Sequence, residues 1–133
     1  MKTILIVDDS PTIRRIVHAA FDQAPITLVE AASGLEAIEQ LSLKRVALMI
    51  LDLNMPDMHG LEVLKFVRQH PTLAHLPIIV LTTRGDEASR RAAQASGATM
   101  YVTKPFEPRV LREQALALLA ESAAETRSRH VES

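Results

Sequence analysis

The segment Val46-Ala47-Leu48-Met49-Ile50-Leu51-Asp52-Leu53-Asn54-Met55-Pro56 places one carboxylate directly after an uninterrupted apolar run. Such a run is typical of a strand that is buried on both faces of a parallel sheet. In open parallel sheets, ligands bind beside the carboxyl ends of the strands. Asp52 is therefore predicted to lie at a ligand-binding edge.

A second pair of acids, Asp8 and Asp9, follows the apolar run Ile4-Leu5-Ile6-Val7. Because parallel strands end at one edge of the sheet, these carboxylates are expected to lie near Asp52. A small divalent cation would relieve their mutual repulsion, and Mg²⁺ prefers such oxygen ligands. This pattern predicts a metal-assisted phosphoryl-transfer site with Asp52 as the nucleophile. An Asp-Asp pair considered alone would more often cap a turn or a helix.

Alternating strand and helix patterns predict an α/β fold, with a parallel sheet covered by helices on both faces. The predicted strands are Ile4–Val7, Val46–Leu51, Ile78–Leu81, Thr99–Val102 and a weaker Thr27–Val29. The predicted helices begin after the N-caps Ser10 and Ser33 and otherwise span Leu61 to about His70, about Asp86 to Ser96, and Glu107 to about Ala124.

Length and composition predict one cytoplasmic domain over residues 1–121, followed by a polar tail over residues 122–133 without an output domain. A chain of 133 residues suits a single core, and its net charge of -1 argues against direct nucleic-acid binding. Cysteine is absent from the sequence, which excludes disulfides and thiol catalysis. The first apolar run is too short for a signal sequence or a membrane span.

The chain resembles response-regulator receiver domains, specifically the stand-alone CheY-like form, over about residues 2–121. The segments that carry the resemblance are Ile6-Val7-Asp8-Asp9-Ser10, Leu51-Asp52-Leu53-Asn54-Met55-Pro56, Gly60, Leu81-Thr82, Gly97-Ala98 and Tyr101-Val102-Thr103-Lys104-Pro105-Phe106. The resemblance implies a doubly wound, flavodoxin-like sheet of five parallel strands in the order 2-1-3-4-5, with five helices in a three-layer α/β/α arrangement.

The resemblance also implies roles for individual residues. Asp52 would be the phosphoacceptor, and Lys104 would contact a carboxylate before transfer and a phosphoryl oxygen after it. Asp9 and Asp52 would bind Mg²⁺, or Mn²⁺ in its place, together with the backbone carbonyl of Asn54. Asp8 would act on the ion mainly through water.

Thr82 and Tyr101 are the switch pair that the resemblance implies. The Thr82 hydroxyl would donate to the phosphoryl group, and Tyr101 would then move inward. Without the resemblance, Tyr101 would be read as a half-buried aromatic residue with a solvated hydroxyl. Thr83 stands where the family often has a smaller residue, and Arg84, which follows it, is a second departure from the family pattern. We expect Thr83 to slow hydrolysis, whereas Arg84 either contacts the phosphate or extends into solvent.

The expected function is that of a single-domain response regulator with slow self-catalysed dephosphorylation, not a turnover enzyme. Its partners would be a sensor histidine kinase or a histidine phosphotransfer protein, and a separate effector. The chain itself would be a monomer or a weak dimer. The effector surface would include Arg90, Arg91, Tyr101, Arg109 and Arg112.

The sequence is compatible with several alternative functions. The chain would otherwise be a phosphate sink or an unphosphorylated interaction module. It would less readily be an aspartyl-phosphate phosphatase, because Asn54 occupies the position of that class's second acid. The Arg14-Arg15 pair either contacts a helical partner or forms a solvated face.

Overall fold

Five strands alternate with five helices in the computed structural model, which describes the backbone of residues 1–132 and the side chains of residues 1–122. The strands are β1 Lys2–Val7, β2 Ile26–Ala31, β3 Leu48–Leu51, β4 Ile78–Thr82 and β5 Met100–Thr103. The helices are α1 Pro11–Ala20, α2 Gly34–Leu43, α3 Gly60–Gln69, α4 Glu87–Ala95 and α5 Pro108–Glu132.

All strand pairs are parallel and follow the order β2-β1-β3-β4-β5, which confirms the predicted fold. Val7 of β1 pairs with Leu51 of β3, so the next residues, Asp8 and Asp52, leave the sheet side by side. The backbone N–H of Asp52 extends this pairing by donating to the Val7 carbonyl at 2.9 Å. The strand register therefore sets the relative position of these two acids.

Each face of the sheet carries its own apolar core. Alternate strand residues such as Leu5 and Met49 pack with α2, α3 and α4, whereas Ile4 and Leu48 pack with α1 and α5. This two-sided burial explains the uninterrupted apolar runs of β1, β3 and β4, since neither face of these strands meets water.

The predicted helix starts at Ser10 and Ser33 are confirmed. The Ser10 hydroxyl accepts the Ile13 N–H at 3.2 Å, and the Ser33 hydroxyl accepts the Glu36 N–H at 3.1 Å. Each serine thus satisfies one of the backbone donors that a helix leaves unpaired in its first turn.

Two element boundaries differ clearly from the sequence prediction. β2 is longer than the predicted Thr27–Val29, because all six of its residues pair with β1. It lies at the edge of the sheet, and its mixed polar and apolar composition made its ends difficult to predict from the sequence. α5 continues to Glu132 rather than ending near Ala124. Of the predicted polar tail, residues 123–133 lie outside the part with described side chains. Within the described residues, no helix combines the length and apolar character that crossing a bilayer requires.

Candidate functional site

Three carboxylates meet at the carboxyl edge of the sheet. Asp8 and Asp9 follow β1, Asp52 follows β3, and one oxygen from each lies within 4.8 Å of the other two. Asp8 and Asp52 are buried, with 1% and 5% of their surface exposed, whereas Asp9 is exposed. The structure thus brings together the three acids that the sequence analysis selected. Their oxygens form the hard ligand set that suits Mg²⁺ or Mn²⁺.

Lys104 supplies the positive charge of the site. Its Nζ donates to Asp8 Oδ2 at 2.8 Å and lies 3.6 Å from Asp52 Oδ1. The Lys104 backbone N–H donates to the Thr82 carbonyl at 2.7 Å, which anchors the residue after β5. One ammonium group is therefore shared by two buried carboxylates, and the bond that follows it, Lys104–Pro105, is cis.

Burial is the main reason that the pKa of Asp52 is raised to about 6. The neighbouring charges of Asp8 and, less strongly, Asp9 act in the same direction. Lys104 and the N–H of Asn54, which donates to Asp52 Oδ1 at 3.3 Å, oppose the shift only in part. At neutral pH Asp52 is therefore mostly ionised, but its charge is poorly compensated. A cation bound beside Asp52 would supply the compensating charge that the site lacks.

The loop that carries Asp8 is fixed by contacts that the sequence analysis missed. Asp8 Oδ1 accepts the Ser10 N–H at 2.9 Å, while the Asp8 carbonyl accepts Arg14 Nη1 at 2.6 Å. Arg14 Nε also donates to Glu30 of β2 at 2.9 Å. The suggestion that Arg14 faces a partner or solvent is therefore wrong, since its side chain is only 18% exposed. Arg15 is exposed, as expected.

Thr82 and Tyr101 are connected through the backbone of one residue, Arg84. The fully buried Thr82 accepts the Arg84 N–H on Oγ1 at 3.3 Å, and the Tyr101 hydroxyl donates to the Arg84 carbonyl. Only 9% of Tyr101 is exposed, and burial raises the pKa of its hydroxyl, which stays a donor at neutral pH. Tyr101 is therefore already directed inward in this structure.

The two positions that depart from the family pattern, Thr83 and Arg84, are both exposed. Arg84 extends into solvent, with 63% of its side chain exposed, and its Nε lies 3.7 Å from Asp86 Oδ1. Beside it, a cavity of about 350 Å³ opens between α4 and the loop after β3. Asn54 and His59 line the loop side of this cavity, which therefore opens beside the residues that follow Asp52.

Asp57 is a further residue whose role the sequence did not reveal. Its two carboxylate oxygens accept the N–H groups of Gly34 and Leu35 at 3.1 and 3.0 Å, and the Leu35 N–H is the main cause of its lowered pKa. These bonds tie the loop after Asp52 to the start of α2. The only signal was an acid in a loop, which does not identify a partner more than 20 residues away.

Comparison with known proteins agrees with this architecture. Residues 4–116 match the family described as "Response regulator receiver domain". Chemotaxis protein CheY1 of Helicobacter pylori is 39% identical over 113 residues, which span 84% of this chain and 91% of that protein.

Two solved structures extend the comparison to three dimensions. The chemotaxis response regulator CheY4 of Vibrio cholerae has a TM-score of 0.83 at 35% identity, covering 89% of this chain and 98% of that chain. The Mn²⁺-bound form of response regulator Rcp1 has a TM-score of 0.76 at 31% identity, covering 86% and 88%. Sequence, fold and the arrangement of acids at the sheet edge lead to one conclusion: this chain belongs to the response regulator receiver domain family of two-component signalling proteins.

Proposed function

We propose that this receiver domain accepts a phosphoryl group on Asp52 from a sensor histidine kinase or a histidine phosphotransfer protein. The observation that carries the proposal is the convergence of Asp8, Asp9 and Asp52 within 4.8 Å, with the Lys104 ammonium 3.6 Å from Asp52. This arrangement combines a buried carboxylate nucleophile with a charge that attracts phosphoryl oxygens.

Asp9 and Asp52, with the backbone carbonyl of Asn54, would hold Mg²⁺ directly, and Asp8 would hold it through water. Mn²⁺ would serve as a substitute, in line with the Mn²⁺-bound form of the related Rcp1. When bound, the ion would neutralise charge on the transferring group. The uneven exposure of the acids supports these different roles, because exposed Asp9 is accessible to an ion from solvent while buried Asp8 is already bonded to Lys104.

In the transfer step, a carboxylate oxygen of Asp52 attacks the phosphorus of a phosphohistidine. The new bond joins Asp52 Oδ to phosphorus, the bond between phosphorus and the imidazole nitrogen breaks, and the nitrogen keeps the electron pair. Lys104 moves from carboxylate neutralisation to pairing with a phosphoryl oxygen. The same pocket would hydrolyse the adduct slowly, which makes the chain a self-acting phosphoprotein and not a turnover enzyme.

The output would be a change in a protein-binding surface formed by α4, β5 and α5, read by a separate effector. Thr82 would turn its hydroxyl from the Arg84 N–H toward the phosphoryl group, and the contacts of Tyr101 would stabilise the changed loop. We place this activity in the cytoplasm, where kinase partners of this kind present phosphohistidine. The domain would act as a monomer or a weak dimer, without direct contact to nucleic acid.

Incubation with acetyl phosphate and Mg²⁺, followed by intact-mass measurement, tests the proposal. We expect one phosphoryl group on the wild type and none on Asp52→Asn. Asp22→Asn is the matched control, because this exposed acid lies just beyond α1 and outside the cluster. Repeated turnover of phosphate monoesters would instead support the phosphatase alternative. A wild type that acquires no phosphoryl group would support the interaction-module alternative.

A further inference from the structure

Arg90 and Arg91 are neighbours on α4 but have different surroundings. The Arg90 guanidinium carbon lies 4.7 Å from the centre of the Tyr101 ring, within the range of a cation–π contact. Arg91 turns instead to Glu87, with its Nε 3.2 Å from the carboxylate. Arg91 is therefore a suitable control for Arg90, since of these two arginines only Arg90 covers the Tyr101 ring.

The contacts of Tyr101 hold it at two points. Arg90 covers the face of the ring, and the hydroxyl at its tip donates to the Arg84 carbonyl. The N–H of that same residue, Arg84, is bonded to Thr82 Oγ1 at 3.3 Å. A continuous set of contacts therefore runs from Arg90 through Tyr101 to Thr82, at the edge of the acidic site.

We propose that Arg90 is a positioning residue that holds Tyr101 inward before any phosphoryl group arrives. A tyrosine that rotates into solvent leaves the guanidinium, so the contact stabilises the inward state alone. An interaction made in one of two states shifts their ratio, and a cation–π contact of this kind shifts it by roughly two- to fivefold. This step rests on the function proposed above. The contact raises the fraction of molecules with Tyr101 inward before phosphorylation, so phosphorylation has a smaller change in that fraction to produce.

Tyr101 can be observed by its intrinsic fluorescence, because it is the single tyrosine of the chain and tryptophan is absent. Tyrosine fluorescence with acrylamide quenching therefore measures the exposure of this one ring. We expect the quenching constant of Arg90→Ala to rise about twofold or more. The control Arg91→Ala should match the wild type. Equal quenching in Arg90→Ala and Arg91→Ala would overturn the proposal.

Two conservative variants separate the cation from simple coverage of the ring. Arg90→Lys keeps the charge and should stay near the wild-type quenching constant. Arg90→Met keeps a chain of moderate length without charge and should move toward Arg90→Ala. Wild-type behaviour of Arg90→Met would overturn the assigned role of the cation. If thermal melting by circular dichroism shows that Arg90→Ala does not fold, the comparison of Arg90→Lys with Arg90→Met still tests whether Arg90 positions Tyr101.

Adding acetyl phosphate and Mg²⁺ connects the contact to the switch. In the wild type the adduct should change quenching little, whereas in Arg90→Ala it should restore quenching toward the wild-type value. An Arg90→Ala adduct, verified by mass, that leaves quenching high would overturn the link to the switch. Failure of the wild type to acquire a phosphoryl group would instead count against the function of Asp52, and quenching without phosphate would still decide whether Arg90 positions Tyr101.

Discussion

At the scale of single residues, Asp52 combines burial with charged neighbours that only partly compensate it. A carboxylate with a raised pKa binds its proton more tightly in the folded chain than in the unfolded one. Its charge therefore favours unfolding above pH 6, and this penalty disappears as the pH falls through about 6 toward the ordinary value of 3.8. The site thus stores unfavourable electrostatic energy at neutral pH that binding partners can release.

Asp52→Asn should consequently stabilise the metal-free protein at pH 7.5, by about 1–3 kcal/mol, because the amide carries no charge to bury. The difference in the free energy of unfolding between Asp52→Asn and the wild type should shrink toward zero near pH 4. Urea unfolding in the presence of EDTA at several pH values measures both effects. Asp22→Asn should change little, and a gain for Asp52→Asn that is equal at pH 7.5 and pH 4 would contradict the electrostatic explanation.

Thr83 permits a second prediction about a single side chain. We expect Thr83→Ala to shorten the lifetime of the phosphorylated protein severalfold, because a smaller side chain beside Thr82 leaves more room for the attacking water. Loss of radioactive phosphate after removal of the donor measures this lifetime. Thr72→Ala, an exposed threonine beyond α3, serves as the control. An unchanged lifetime in Thr83→Ala would remove this role.

At the scale of secondary-structure elements, the start of α3 packs directly against the backbone of Asp52 and Leu53. A methyl group on Gly60 would lie 2.5 Å from the Asp52 carbonyl oxygen and 2.6 Å from Leu53 Cα. The Gly60 N–H donates to the Leu53 carbonyl at 2.8 Å, which fixes this approach. Glycine is required here because no side chain fits between the helix and the loop.

Gly60→Ala should therefore destabilise the fold by about 2 kcal/mol or more and slow phosphorylation of Asp52. The matched control is Gly85→Ala, whose new methyl group would come no closer than 3.3 Å to another side chain, at the methyl group of Thr103. Urea unfolding and the rate of acetyl phosphate uptake measure the two effects. Equal losses in both variants would show that the contact with the Asp52 backbone has no special importance.

At the scale of the whole molecule, an apolar core on each face stabilises the sheet, and the ends of the strands position the acids. Because the strand register sets the positions of Asp8 and Asp52, folding itself brings the like charges together. A cation that binds only this folded arrangement should stabilise the entire domain through mass action.

Mg²⁺ at ten times its dissociation constant should raise the free energy of unfolding by about 1.4 kcal/mol. Asp9→Asn should lose most of this increase while retaining the fold, since Asp9 is exposed. Thermal melting with and without EDTA, at matched ionic strength, measures the increase. The metal site is contradicted if Mg²⁺ stabilises the wild type and Asp9→Asn equally.

The sequence predicted those parts of the structure that depend on repeated local patterns. The apolar runs before Asp8 and Asp52 revealed two central strands and their shared edge. Lys104, Thr82 and Tyr101 acquired roles only through resemblance to a family. Contacts between single polar side chains, such as Arg14 with Glu30 and Arg90 with Tyr101, were not predictable, because they depend on the paths of loops and helices across the sheet.

The two hydrogen bonds from Asp57 to the start of α2 have a consequence on the flank opposite Tyr101. A displacement of Asp57 must either carry the first turn of α2 with it or break both bonds. Phosphorylation of Asp52, as proposed above, would therefore also act on the α2 side of the domain, through the backbone amides of Gly34 and Leu35.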